Sequence, residues 1–225
     1  MRKLGLAILA LMLVAIPVTL LVTTVWPRMR RVPPPADMTR APEWLRQLTR
    51  VEPGLWRPWS EIVIHHSAGE LGGLESIDRF HRTARHWDSA GYDFIIGNGT
   101  FSGDGEIEVS TRWETQSDGA HCSGHNATAI GICLVGNFQA VDEKPSPAQD
   151  LSLEQLVAYL AVRYGIPAER IYLHRDVHGA STLCPGRNFP EDNIRRVVEK
   201  LRAEYEPAKA EGARPKAEGV KAPPK

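Results

Sequence analysis

Histidine and cysteine residues stand at or shortly after the ends of apolar segments in this sequence. The apolar run of "EIVIHHSAGE" ends at His65 and His66, "RIYLHRD" contains His174, and Cys184 lies in the loop-like segment "STLCPG". Two imidazoles and a thiolate would give three zinc ligands and leave a fourth position open, as in catalytic zinc sites. Spacing alone does not single out this triple, because the chain has eight histidines.

The two adjacent histidines cannot both serve one site if they end a strand. Successive side chains of a strand point to opposite faces of its sheet. At most one of His65 and His66 therefore faces the site, and alternation does not say which one.

Two other chemistries compete with this triple. His174 and His178 in "HRDVH", like His121 and His125 in "HCSGH", lie four residues apart and could bind zinc from a helix. A glycine interrupts each of these segments, which disfavours a helix there. Cys184 could instead be a nucleophile activated by a histidine, and the Pro-Gly that follows it favours a held ligand without excluding that role.

Four apolar segments predict strands that would position these residues. "EIVIH" is a short buried strand by its β-branched content, and "AIGICLVGNF" is a central strand. "GYDFIIGNGTF" predicts a strand that turns at Asn98-Gly99, a strong hairpin signal. "RIYLHRD" predicts the fourth strand. Loops at the ends of such strands commonly carry the site of an α/β sheet.

Helical patterns alternate with these strands. "GLESIDRFHRTARHW" has apolar residues at helical spacing, with His81 on its flank. "SLEQLVAYLAVRYG" places Ser152 and Gln155 in capping-box positions and ends at Gly165, and "FPEDNIRRVVEKLR" predicts a last helix. The expected fold class is α/β: a single domain with a central mixed β-sheet flanked by helices.

The two ends of the chain differ from the domain between them. The stretch from Leu4 to Trp26 is uncharged and long enough to cross about 30 Å of hydrocarbon as a helix. Residues 1–27 are therefore predicted to be a signal anchor or a signal peptide, and residues 28–42 a Pro-rich linker. The folded domain spans 43–206. Residues 207–225 form a Lys/Ala/Pro/Glu tail that is expected to be disordered.

Composition excludes some functions. The formal net charge is zero, so nothing supports a nucleic-acid partner.

Three cysteines are an odd count that does not indicate a disulfide framework. Cys133 lies inside an apolar run, where a thiol is usually a small hydrophobe, and a Cys122–Cys133 bridge is a disfavoured alternative.

Four motifs taken together resemble a known family. "IVIHHSAG", "AGYDFIIGNGT", "DGAHCSGHNATAIGICLVGNF" and "HRDVHGASTLCPGRNFP" occur in the order seen in zinc-dependent N-acetylmuramoyl-L-alanine amidases, the family of T7 lysozyme and the animal peptidoglycan recognition proteins. The resemblance covers about Glu61 to Leu201 and implies Zn²⁺ as the cofactor. It implies His65, His174 and Cys184 as the zinc ligands, with His66 pointing elsewhere.

The resemblance also implies roles for four other residues. Tyr92 and Thr182 correspond to catalytic positions beside the metal and the scissile carbonyl. His121 and Asn126 correspond to substrate-binding positions in the cleft.

The chain departs from the family pattern at two places. Nine residues separate His174 from Cys184, where family members usually have a shorter spacing, so His178 remains a rival ligand. One branch of the family has a catalytic glutamate where this chain has Cys133. The absence of that acid indicates a mechanism that relies on Tyr92.

The implied activity is zinc-dependent hydrolysis of the amide bond between N-acetylmuramic acid and L-alanine in peptidoglycan. The alternative is a catalytically inactive, membrane-tethered protein that only binds peptidoglycan; animal relatives of that kind lack the cysteine, which this chain keeps. The expected partners are peptidoglycan and, through the N-terminal segment, the membrane, and we expect a monomer. Peptidoglycan lies outside the inner membrane, so the domain should lie on the periplasmic or extracytoplasmic side, anchored there, or secreted if the segment is cleaved.

Overall fold

A five-stranded mixed sheet organises the computed structural model of the protein, which describes residues 38–190, 196, 198–200 and 205. Its spatial order is β3-β2-β4-β1-β5. β4 pairs in parallel with β1 and β2, β1 pairs in parallel with β5, and β2 pairs antiparallel with β3. The strands are β1 (Glu61–His66), β2 (Phe94–Ile96), β3 (Ile107–Val109), β4 (Ala129–Leu134) and β5 (Ile171–Leu173).

The two central strands are buried along their whole length. Every residue of β1 and β4 is buried, as expected for parallel strands covered on both faces. The register between them places His65 beside Cys133 and His66 beside Leu134. "AIGICLVGNF" therefore supplies the central strand, as predicted.

Helices cover both faces of the sheet, which confirms the predicted fold class. One face carries Ile62 and Ile64 of β1, which join the main core cluster together with Leu156 and Leu160. On the other face, Ile77 packs against the cluster that contains Ile95 and Cys133. The helices are α1 (Glu43–Leu48), α2 (Leu74–Ala84), α3 (Thr111–Thr115) and α4 (Pro147–Tyr164), with short 3₁₀ helices at Ala168–Arg170 and His174–Asp176.

The predicted start of the long helix was wrong. α4 begins at Pro147, and its capping box is formed by Ser146 and Gln149. Ser152 lies inside the helix and donates its hydroxyl to the Gly105 carbonyl (2.6 Å). Both "SPAQ" and "SLEQ" fit the capping-box pattern, but only the first has proline at the first helical position, where its missing N–H costs nothing. The predicted end at Gly165 is confirmed, with this glycine in the left-handed conformation (φ 65°).

The hairpin between β2 and β3 has a longer loop than the Asn98-Gly99 signal predicted. β2 ends at Ile96, and β3 begins at Ile107. Asn98 lies in the loop and donates its side-chain amide to the Glu70 carbonyl (2.8 Å). The dipeptide thus ties this loop to the segment after β1 rather than forming a two-residue turn.

Several sequence predictions concern the chain ends. The predicted signal segment (1–27) and the tail (207–225) lie outside the described residues. Across the part of the chain that the structure describes, no helix is long and apolar enough to cross a membrane. Met38 and Ala41, which the sequence assigned to the linker, are buried in the core. In the last predicted helix (189–202), residues 196 and 198–200 are helical, whereas Phe189 and Pro190 are not. All three cysteines have free thiols, so the disfavoured Cys122–Cys133 bridge is not formed.

Candidate metal centre and active site

His65, His174 and Cys184 meet at one edge of the sheet. His65 lies at the carboxyl end of β1, and His174 directly follows β5, the parallel neighbour of β1. Their donor atoms and the Cys184 sulfur all lie within 4.8 Å of one another. The His65 Nδ1 atom is 3.7 Å from Cys184 Sγ, and the two imidazole centroids are 4.4 Å apart. Parallel pairing thus brings together side chains that are distant in sequence.

The adjacent histidines diverge, as strand alternation requires. His65 points into this group, whereas the His66 ring accepts a hydrogen bond at Nδ1 from the Phe138 backbone N–H (3.1 Å) on the other face. The backbone N–H of His66 nevertheless donates to Cys184 Sγ (3.4 Å). The His66 main chain therefore contacts the Cys184 sulfur, while its imidazole is bound by Phe138.

The rival histidine pairs do not form metal sites in the described part of the chain. The 3₁₀ helix that begins at His174 ends at Asp176, and His178 is exposed outside the donor group. The His125 ring instead contacts the Glu61 carboxylate (2.6 Å), at the opposite end of β1 from His65. The fold therefore separates the two members of each rival pair, as the interrupting glycines indicated.

Hydrogen bonds hold Cys184 in place at three atoms. Besides the bond from His66 to its sulfur, its N–H donates to Thr182 Oγ1 (3.1 Å), and its carbonyl accepts from the Arg175 N–H (2.8 Å). Burial raises the pKa of the Cys184 thiol to about 11. A nucleophilic cysteine needs a lowered pKa, so this environment favours a metal ligand, because a bound cation stabilises the thiolate.

Burial also keeps the two histidines of the group neutral. It lowers the pKa of His65 well below its usual value, and the neighbouring His121 and His174 add to the effect. Burial also lowers the pKa of His174. Neutral imidazole is the form that coordinates metals. The two imidazoles therefore offer lone pairs to a cation without an opposing charge.

A cavity of about 340 Å³ opens over the donor group. The Tyr92 ring lies beside His65, with a centroid separation of 5.1 Å. Burial raises the pKa of the Tyr92 hydroxyl well above its usual value, so this group keeps its proton near neutral pH. The lining comprises His65, His66, Ser67, Ala68, His81, Arg85, Trp87, Tyr92, Ala120, His121, His174, Thr182 and Cys184.

Thr182 lines the cavity with its hydroxyl group. Its oxygen already accepts the Cys184 N–H, which leaves its own proton available for a guest. Tyr92 and Thr182 thus supply two hydroxyl donors around the group of His65, His174 and Cys184.

The predicted substrate-binding residues occupy different positions. His121 lines the cavity, and its Nδ1 atom is 3.1 Å from His65 Nε2. Burial lowers the pKa of His121 to about 4, so the ring is neutral at neutral pH. Asn126 does not line this cavity; its side-chain oxygen accepts the backbone N–H groups of His121 (2.9 Å) and Cys122 (2.8 Å). Asn126 therefore holds the loop that carries His121.

Sequence reasoning did not identify three cavity residues near α2. His81 is buried and satisfied, because its Nδ1 accepts the Gly91 N–H (3.0 Å), and its ring lies 4.7 Å from that of Trp87. Arg85 and Trp87 follow the helix and also line the cavity. The only signal in the sequence was their place at the end of an amphipathic helix, which does not distinguish a site from a surface.

Comparison with known proteins decides which family these features belong to. The family model described as N-acetylmuramoyl-L-alanine amidase matches residues 55–187, more than half of the chain. The chain belongs to this amidase family. It is similar to an N-acetylmuramoyl-L-alanine amidase of Sus scrofa (33% identical over 61% of this chain and 24% of the pig protein) and to peptidoglycan-recognition protein SC2 of Drosophila melanogaster (31% identical over 65% and 79%). It thus spans about a quarter of the length of the pig relative.

Solved structures support the same assignment of this amidase-family chain. The endolysin N-acetylmuramoyl-L-alanine amidase LysCS from Clostridium intestinale has 33% sequence identity and a TM-score of 0.50, over 64% of this chain and 85% of that one. The segment of this chain that the family model matches contains His65, His174 and Cys184. Two imidazoles and a thiolate are a donor set that suits zinc, so these residues fit the metal that is typical of such amidases.

Proposed function

We propose that this protein is a zinc-dependent amidase that hydrolyses the bond between N-acetylmuramic acid and L-alanine in peptidoglycan. The observation that carries the proposal is the convergence of the His65, His174 and Cys184 donor atoms within 4.8 Å, beneath a cavity that also contains Tyr92 and Thr182. Family membership supports the bond class. Beyond family membership, we propose that the protein binds zinc, that these three residues are its ligands, and that the protein catalyses the reaction.

The reaction must overcome a weakly electrophilic amide carbonyl and a poor leaving amine. Zinc, when bound, would polarise the carbonyl as a Lewis acid and would lower the pKa of a bound water from about 15.7 to about 7. Tyr92 keeps its proton because its hydroxyl is buried, so it donates a hydrogen bond to the oxygen on which negative charge develops. Thr182 donates a second one, and such donors contribute about 3 kcal/mol each to the transition state.

The residues around Cys184 keep the sulfur in place for this chemistry. The His66 N–H donates to it, and the Cys184 N–H is itself bound by Thr182. The same hydroxyl therefore positions the ligand loop and faces the substrate. Because Cys133 offers no carboxylate, stabilisation of the developing oxyanion relies on the hydroxyl groups of Tyr92 and Thr182.

Digestion of purified sacculi tests the proposal. We expect the protein to release free stem peptides, to lose this activity with a chelator, and to regain it with added zinc. His174→Ala should remove bound zinc and activity, whereas the matched control His178→Ala, at an exposed position, should retain both. Cys184→Ala and its control Cys122→Ala make the same comparison for the thiol.

Two results would contradict the proposed function or its ligand assignment. Binding to sacculi without release of stem peptides, with wild-type zinc content, would leave the protein as a peptidoglycan-binding module. Normal cleavage by Cys184→Ala would refute the ligand assignment.

The proposed location is the cell envelope, outside the cytoplasmic membrane. The uncharged stretch from Leu4 to Trp26 supports a signal anchor or signal peptide, and the proposed substrate lies outside that membrane. Membrane fractionation with N-terminal sequencing of the mature chain tests this. An intact N-terminus in the membrane fraction indicates an anchor, a shortened soluble chain indicates cleavage, and a cytoplasmic full-length chain refutes the proposal.

A further inference from the structure

We propose that His121 is a positioning residue that fixes the ring tautomer of His65, so that the His65 Nδ1 lone pair faces the metal group. This inference rests on the metal site of the proposed function. It differs from the substrate contact that the family resemblance implied for His121, because it acts through His65.

A chain of hydrogen bonds decides which nitrogens carry protons. The Ala129 carbonyl lies 3.3 Å from His121 Nε2 and can only accept, so His121 Nε2 carries the hydrogen. In the neutral ring, His121 Nδ1 is then an acceptor. It lies 3.1 Å from His65 Nε2, which must therefore be the donor. His65 Nδ1, which is 3.7 Å from Cys184 Sγ, is left with its lone pair.

Two glycines leave the space that the His121 ring occupies. A Cβ atom on Gly131 would lie 2.6 Å from His121 Cδ2, and one on Gly119 would lie 2.4 Å from the same atom. Both distances are too short for real Cβ contacts, so a larger residue at either position would displace the ring. Gly131 lies in β4, beside Val63 of β1. The centre of the sheet is therefore shaped to hold an imidazole behind His65.

The loop that carries His121 is fixed as well. Asn126 Oδ1 accepts the backbone N–H groups of His121 and Cys122, and the Ala120 N–H donates to the Gly91 carbonyl (2.8 Å). The His121 backbone is therefore held on both sides of the residue. Little freedom remains for the ring to leave His65.

A histidine that binds a metal generally depends on a hydrogen-bond acceptor for its second ring nitrogen. A histidine ligand usually donates its second N–H to a fixed acceptor, and loss of that acceptor typically lowers metal affinity about 10- to 100-fold. Here the acceptor is another imidazole, which is itself oriented by a backbone carbonyl. Without it, the His65 Nε2–H would face a buried space with no acceptor, and the ring could adopt the other tautomer.

The first test measures zinc dissociation constants by competition with a chelator. His121→Ala should raise the Kd about 10- to 100-fold. His121→Asn should recover most of the affinity, because the Asn oxygen lies near the position of the histidine Nδ1 and accepts the same hydrogen bond. Gly131→Ala should weaken binding by displacing the ring. The matched control His125→Ala lies on the same loop but pairs with Glu61, and should leave the Kd unchanged.

The second test does not require metal. Long-range ¹H–¹⁵N NMR spectra of the metal-free wild type should show His65 protonated at Nε2 and not at Nδ1. This readout separates the inference from the proposed function: if the wild type bound no zinc, the function would fail, while the Nε2–H signal of His65 would still support the hydrogen-bond chain. A His65 Nδ1–H signal, or a folded His121→Ala variant with the wild-type zinc Kd, would overturn the inference.

Discussion

The buried carboxyl group of Asp93 makes stability depend on pH in an unusual direction. Asp93 precedes β2, and its Oδ2 atom accepts the Gly131 N–H (2.7 Å), while Oδ1 has no hydrogen-bond partner among the described residues. Burial raises the pKa of this carboxyl from 3.8 to about 7. Between these values the folded state binds the proton and the unfolded state does not, so the free energy of unfolding falls as the pH rises.

The magnitude follows from the size of the shift. Each pKa unit corresponds to about 1.4 kcal/mol, so the step from 3.8 to about 7 gives a total of about 4 kcal/mol. Between about pH 5 and about pH 8, roughly 2.5 kcal/mol of this change takes place. Asp93→Asn removes the titration, and its amide oxygen keeps an acceptor for the Gly131 N–H.

Urea unfolding of the wild type and of Asp93→Asn at a series of pH values measures this effect. The unfolding free energy of Asp93→Asn minus that of the wild type should increase by about 2.5 kcal/mol from about pH 5 to about pH 8. Other titrating groups, including the metal site, occur in both proteins and cancel. Asp88→Asn, at an exposed position, controls for the loss of one formal charge. Parallel pH profiles for wild type and Asp93→Asn would refute the reasoning.

Three further predictions concern the site and the core. Tyr92→Phe should lower kcat for stem-peptide release about 10²- to 10³-fold, because a donor to the developing oxyanion is lost, while zinc content measured by metal analysis stays normal. Thr182→Val should lower kcat in the same way, Thr182→Ser should restore it, and equal rates for the two variants would contradict the donor role. Leu156→Ala should lower the unfolding free energy by about 2–5 kcal/mol in urea titrations, because Leu156 is fully buried in the main core.

The sequence predicted what depends on local pattern. β-branched runs identified β1 and β4, and alternation showed that His65 and His66 must separate, because the two-residue period of a strand is a property of its backbone. The choice of His65 came from the family resemblance, since it depends on which face of the sheet carries the site. The start of α4 was missed because two segments match the same capping pattern, and proline at position 147 favours the earlier one.

What could not be predicted depends on contacts between distant segments. The pairing of His121 with His65 requires that β4 lies beside β1 and that Gly131 leaves room behind the strand. The burial of Asp93 likewise depends on its contact with Gly131. No periodicity or composition of the chain encodes these distances.

The donor residues come from opposite ends of the domain, and this affects how the protein matures. His65 lies on the first strand, whereas His174 and Cys184 follow the last one. A chain that has emerged only as far as β4 has one ligand, and the set is complete only after the loop around Cys184 has folded against β1. A metal that binds only the complete set stabilises the finished fold and no earlier intermediate. Metal binding would therefore favour the completely folded chain over truncated ones, which lack two of the three donor residues.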